Sequence, residues 1–331
     1  MTMTLTRNIA NLLLAATLAL PVAVAPAAAD QPRFSLDTLS RPAGRGGGGG
    51  SDGGSSTPPP LYNWMSTEIG DAWALGFKGQ GTTITIVDDF NSSFTFSGNL
   101  GTGTQSLRHG EWVRLEASMI APEASMRSHE FTSGSRVSLA RNQLNTLNLS
   151  YGMMGQAGWD VGSIRWSRQE SSIISYAQDG AAVVVKAAGN DAIAVGGVNS
   201  AGNTDYLNLA LVGSQSAIFV GALDRNGTTD NKASLAWYSN YAGDDPAVQT
   251  SFLSVGVRGD LTGLSGTSFA APIVSGYAAV LGSKFTSATP TQIANQLLDT
   301  ARTDTIHGYS ARLHGQGEAS ITRALAPVSI N

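Results

Sequence analysis

Three almost unbroken apolar runs constrain this chain more than any other feature: ITIV at 84–87, AAVVVKA at 181–187 and AIFVGAL at 217–223. A strand with one wet face alternates apolar and polar residues, so runs without alternation point to strands covered on both faces. TLNLS at 146–150 adds a fourth strand. Between and after these runs a helical spacing returns. It is clearest from His109 to Ile120, with Trp112, Val113, Leu115 and Met119 as apolar points and Pro122 as the stop. Further helices are expected over 61–76, 162–178, 269–281 and 290–301, the last with Thr289 as N-cap and Pro290 in its first turn. Strands alternating with helices predict an α/β fold, a mainly parallel sheet flanked by helices on both faces. The Gly-, Ser- and Thr-rich stretch 90–105 reads as loop.

The 331 residues are 42% hydrophobic, enough for a sizeable core, and only 13% charged. With 20 basic and 24 acidic side chains, net charge −4, the chain lacks the basic excess of a nucleic-acid binder. It has no cysteine, which excludes disulfides, a cysteine nucleophile and thiolate-bound zinc. Residues 1–29 read as a secretory signal: Arg7 in the n-region, an apolar run over 8–25, and Ala27, Ala28 and Ala29 before the cleavage point. Residues 30–60 read as a disordered linker, with AGRGGGGGSDGGSSTPPP at 43–60 too poor in apolar surface to offset its ordering entropy. The folded domain is expected over 61–331, as a monomer, and exported to the periplasm or the cell exterior. No later stretch approaches the ~18 apolar residues of a membrane span.

The chemistry is expected in GTSFAAP at 266–272, where a loop delivers Ser268 to the start of an apolar helix. Unpaired N–H groups and the positive dipole end lie there, and can hold an oxyanion. Taken alone, Ser268 reads rather as an N-cap, a position serine favours.

GTSFAAPIVSG does not stand alone. It resembles the nucleophile motif of the subtilisin-like serine proteases, and the other motifs of that family appear before it in the family's order. AWALGFKGQGTTITIVDD resembles the aspartate motif, and RHGEWV with IAPEASM behind it resembles the histidine motif. LNLSYG at 147–152 resembles the substrate-lining strand, VVVKAAGND at 183–191 the segment that supplies the oxyanion-hole asparagine, and IFVGALD with LAWYSNYA the elements leading to the serine. The resemblance covers about 61–325. It implies a three-layer subtilisin-like fold and a serine endopeptidase acting on polypeptides. Its implied catalytic residues are Asp88 as the acid that orients the base, His109 as base, Ser268 as nucleophile and Asn190 as oxyanion donor. The implied substrate slot lies between Ser150, Tyr151, Gly152 and Ala187, Ala188, Gly189. Those walls carry no fixed charge, so an apolar or aromatic side chain is expected there; Asp191 is the nearest acid.

The sequence also departs from the family. Asp89 and Phe90 follow Asp88, where a small residue and glycine are usual. Glu111 and Trp112 stand where the family has Thr-His, and a carboxylate at 111 would raise the pKa of the base if it came near. Asp89 is a rival to Asp88, although neighbours on a strand face opposite ways. His129, His307 and His314 fall outside the motifs and are expected at the surface. Only 21 positions separate Asp88 from His109. The His109 helix runs almost straight into IAPEASM, leaving no room for the calcium loop of many relatives. No metal and no cofactor are therefore expected. Residues 30–60 are too few for a folded propeptide. The C-terminal segment from Thr300 resembles the end of subtilase domains in self-transporting outer-membrane proteases, but no barrel is expected in this chain. The departures leave an alternative open: a subtilase-fold binding protein with little turnover. An esterase of another α/β fold lacks its G-x-S-x-G pattern here, and GTGTQS at 101–106 lacks the last glycine of a dinucleotide loop.

Overall fold

The computed structural model describes residues 6–8 and 59–330. Most of the expected signal and linker therefore lies outside the described residues. In chain order the elements are β1 (Thr6–Asn8), α1 (Thr67–Ala74), β2 (Thr82–Asp88), β3 (Phe96–Gly98), β4 (Gln105–Leu107), α2 (His109–Ile120), β5 (Ser125–Glu130), β6 (Leu144–Leu149), β7 (Gly152–Gln156), α3 (Arg168–Gln178) and β8 (Val183–Ala187). Then come β9 (Asn203–Asp205), α4 (Tyr206–Leu211), β10 (Ala217–Leu223), α5 (Pro246–Thr250), β11 (Phe252–Gly256), α6 (Gly259–Thr262), α7 (Ala271–Lys284), α8 (Pro290–Asp299), α9 (Ala311–His314) and α10 (Ile321–Leu325).

Six strands form the central sheet in the order β11-β10-β8-β6-β2-β5, and every pair in it is parallel. The apolar runs are its inner strands. β2, β8 and β10 are buried along their whole length, which explains their missing alternation. One face carries Ile84, Ile86, Val183, Val185 and Val220 against α2, α7 and α8; the other carries Leu147, Leu149, Val184 and Phe219 against α3 and α4. The α/β fold with helices on both faces is thus the fold of this chain.

α2 runs from His109 to Ile120, and α7 is buried on almost every side. The α2–α7 contact is close because Gly276 faces Ile120: a Cβ at 276 would lie 2.4 Å from Ile120 Cγ2. Not all of 90–105 is loop. Phe96–Gly98 pairs with Gln105–Leu107 as a small antiparallel hairpin. Its stabilising contacts are remote in sequence, for the Trp112 indole donates to the Phe96 carbonyl at 3.0 Å. His314, expected at the surface, is buried at 2% exposure, held by Ser310 and stacked on Tyr309.

Candidate active site

Parallel sheets open their crevices at the carboxyl ends of their strands. Three adjacent strands, β2, β6 and β8, deliver Asp88, Ser150 and the Ala187–Asn190 segment to that edge. The N-terminus of α2 brings His109 to the same edge, and the turn before α7 brings Ser268.

Asp88 and His109 meet. Nδ1 of His109 lies 2.6 Å from Oδ1 of Asp88, with side-chain exposures of 2% and 0%. The same Oδ1 accepts the Asp89 N–H at 2.7 Å. Burial pushes the Asp88 carboxyl above the usual carboxylate range, and the adjacent imidazole opposes that rise. The His109 ring packs against both Phe96 and Phe269, with centroids at 6.2 and 5.8 Å, and those two rings also touch each other. Nε2 of His109 is buried and has no hydrogen-bond partner among the described residues.

Asp89 turns the other way. It accepts from the N–H groups of Asn91 and Ser92 at 3.2 and 2.9 Å and from the Ser92 hydroxyl, closing a turn. Glu111 closes a capping box on Arg108: it accepts the Arg108 N–H at 2.8 Å and pairs with its guanidinium at 3.1 Å.

Ser268 lies in a single helical turn that follows Gly266, whose φ of 127° is open to glycine and strained for other residues. Its hydroxyl donates to the Ser150 carbonyl at 3.2 Å, and the Ser150 hydroxyl donates back to the Ser268 carbonyl at 2.9 Å. Ser150 is held in turn by Asn148, and Asn148 by Ser275 of α7. No hydrogen bond joins Ser268 to His109 in this conformation.

Asn190 is oriented by Thr267, whose backbone N–H and hydroxyl both donate to Asn190 Oδ1, at 2.8 and 3.0 Å. An N–H donor requires an acceptor, so the amide orientation is fixed and the NH₂ end projects away from Thr267. Asn240 supports the loop from below. It accepts the N–H groups of Asp191 and Ile193 and donates to the Ala188 carbonyl.

Ser150, Tyr151, Gly152, Ala187, Ala188 and Gly189 line one cavity together with Asn190 and Ser268. The Tyr151 ring is not in the slot: it is buried edge-on to Phe131, with its hydroxyl 3.4 Å from Glu170. Sequence reasoning named Asp191 but missed the other two charged residues that line this cavity, Lys186 and Asp205. Lys186 had a signal, a lone charge inside an apolar strand; Asp205 reads as the N-cap of α4, which it also is. Among the described residues no group of three or more His, Asp or Glu side chains gathers as a metal cluster. No helix among them is long and apolar enough to cross a membrane.

The subtilase family model (Peptidase_S8) matches residues 113–318, more than half of the chain. The chain belongs to the subtilase family and is a serine-type peptidase. The matched segment contains Asn190 and Ser268, while Asp88 and His109 precede it. Among solved structures, the MycP3 protease of the type VII (ESX-3) secretion system is similar at 20% identity and a TM-score of 0.51, over 82% of this chain and 90% of that one. MycP1 of the ESX-1 type VII system is similar at 18% identity and a TM-score of 0.50, over 82% and 88%. At such identities the likeness is one of fold. No curated protein matches the chain in sequence.

Proposed function

We propose that the chain is an exported serine endopeptidase that cleaves polypeptides through Asp88, His109 and Ser268, with Asn190 in the oxyanion hole. The observation that carries this reading is the buried 2.6 Å contact between His109 Nδ1 and Asp88 Oδ1. The carboxylate accepts a hydrogen bond from Nδ1–H, which fixes the tautomer with Nε2 as the basic nitrogen. Ser268 rotates from Ser150 toward Nε2, gives up its hydroxyl proton and attacks the scissile carbonyl. The resulting oxyanion takes hydrogen bonds from the Asn190 amide and the Ser268 backbone N–H. The imidazolium then protonates the leaving amine, and an acyl-enzyme remains on Ser268. Water, deprotonated by the same imidazole, attacks the ester; the imidazolium returns that proton to the Ser268 oxygen as it leaves, which releases the acid and restores the free enzyme. The substrate lies between Ser150–Gly152 and Ala187–Gly189. Export rests on the signal-like pattern of residues 1–29.

One observation favours a second reading, a binding protein with little turnover: the Ser268 hydroxyl is bonded to Ser150 and not to His109. Mass spectrometry of peptides incubated with the purified protein, beside a Ser268→Ala control, decides between them. Cleavage products absent from the control support the peptidase; identical, intact peptides in both samples support the binding protein.

A further inference from the structure

The two walls of the slot are uncharged, but the cavity they enclose contains an ion pair. Lys186 and Asp205 line it together with Ser268. Their Nζ and Oδ2 atoms are 3.0 Å apart, and Lys186 is 1% exposed. A lysine is almost never buried this fully without a partner.

The pair also ties the walls together. Lys186 Nζ donates to the Ala187 carbonyl, in the second wall, at 2.7 Å. Asp205 Oδ1 accepts the N–H of Met153, next to the first wall, at 2.9 Å, and those of Leu207 and Asn208 at the start of α4. Gly152 permits this approach, because a Cβ there would lie 2.7 Å from Asp205 Oδ2. Asp191 is half-buried and hydrogen-bonded to Asn199, with its carboxyl pushed up by burial and then by Asp205.

We propose that Lys186 is the specificity-determining residue of this slot: by neutralising Asp205 it makes the site select an uncharged side chain before the scissile bond. The inference rests on the assignment of the slot above. An entering anion finds Lys186 engaged by Asp205; an entering cation finds Asp205 engaged by Lys186, and the other acid lining the cavity, Asp191, hydrogen-bonded to Asn199, so either charge loses its hydration for little compensation. Removing one partner leaves the other as an unpaired ion. Asp205 alone would recruit Lys or Arg, and Lys186 alone would recruit Asp or Glu.

The test uses fluorogenic peptides that differ only at the residue before the cleaved bond, carrying Leu, Gln, Arg or Glu. They are read as kcat/KM on the parent protein, Lys186→Met, Asp205→Asn and the double variant. The parent should prefer Leu or Gln. Lys186→Met should raise the Arg-to-Leu ratio at least about tenfold, and Asp205→Asn the Glu-to-Leu ratio by a similar factor. The double variant should return both ratios to near the parent values. Asn retains the capping role at the start of α4, so this arm decides the matter if Lys186→Met does not fold. Folded variants with unmoved ratios, or a parent that prefers Arg, would overturn the proposal. Cleavage by a Ser268→Ala control equal to the parent's would instead overturn the underlying assignment of the site, and the inference with it.

Discussion

Thr267 presents two donors to one oxygen of Asn190, its backbone N–H at 2.8 Å and its hydroxyl at 3.0 Å. Thr267, the residue before Ser268, thus sets the direction of the amide proposed to stabilise the transition state. The aim is fixed before substrate arrives, which is what electrostatic preorganisation requires. Asn190→Ala should lower kcat by ~10²–10³ with little change in KM, the magnitude known for the equivalent loss in a subtilase. Thr267→Val removes one donor and keeps the backbone N–H, so its loss should be smaller. Steady-state kinetics of the two variants checks both.

Asp88 and Asp89 are neighbours with separable tasks. Asp88→Asn should leave the fold intact and reduce kcat by ~10⁴, because an amide cannot hold the same tautomer of His109. Asp89→Asn weakens the turn at Asn91 and Ser92. It should cost about 1 kcal/mol of stability and leave most activity. Activity and melting curves for the pair separate the two roles; equal activity loss in both would contradict them.

Glu116 lies on α2, 3% exposed, with Oε2 lacking a hydrogen-bond partner among the described residues, and burial pushes its carboxyl well above the ordinary 4.5. The folded state therefore holds a proton that the unfolded chain releases above that value. The associated stability is complete below about pH 4.5 and is lost as pH rises through the folded-state pKa. Glu116→Gln keeps the shape and removes the titration. At neutral pH it should gain about 2–4 °C in Tm, with the difference from the parent vanishing in acid. Melting temperatures across pH 4–8 test the slope, roughly the range over which a buried carboxyl titrates.

Gly276 sets the spacing between α2, which begins at His109, and α7, which follows the turn that carries Ser268. A Cβ there would lie 2.4 Å from Ile120 Cγ2 and 2.6 Å from its Cβ. Gly276→Ala should destabilise the protein by about 1–3 kcal/mol and depress kcat as α2 is displaced. Adding Ile120→Ala should restore part of both. An unaffected Gly276→Ala enzyme would show that the contact is looser than the structure has it.

The sheet was legible because β2, β8 and β10 have no wet face, and a run such as AIFVGAL leaves few alternatives. α2 was legible to the residue, since a helical apolar spacing begins after His109 and Pro122 ends it. The hairpin of Phe96 was hidden because its stability comes from Trp112, sixteen residues on, and not from any local pattern. The Lys186–Asp205 pair was hidden for the same kind of reason: β8 and β9 reach the slot from different parts of the chain. His314 looked like an unassigned polar residue, and only the packing of α9 buries it.

The central claim is that Ser268 is an activated nucleophile, not a buried cap. A fluorophosphonate probe reacts with a serine only when a neighbouring base can take its proton. Intact mass and peptide mapping should show one adduct, on Ser268, in the parent protein. It should be absent in Ser268→Ala and strongly slowed in His109→Ala. A folded parent protein that takes up no probe, or labels at the same rate without His109, would contradict the account.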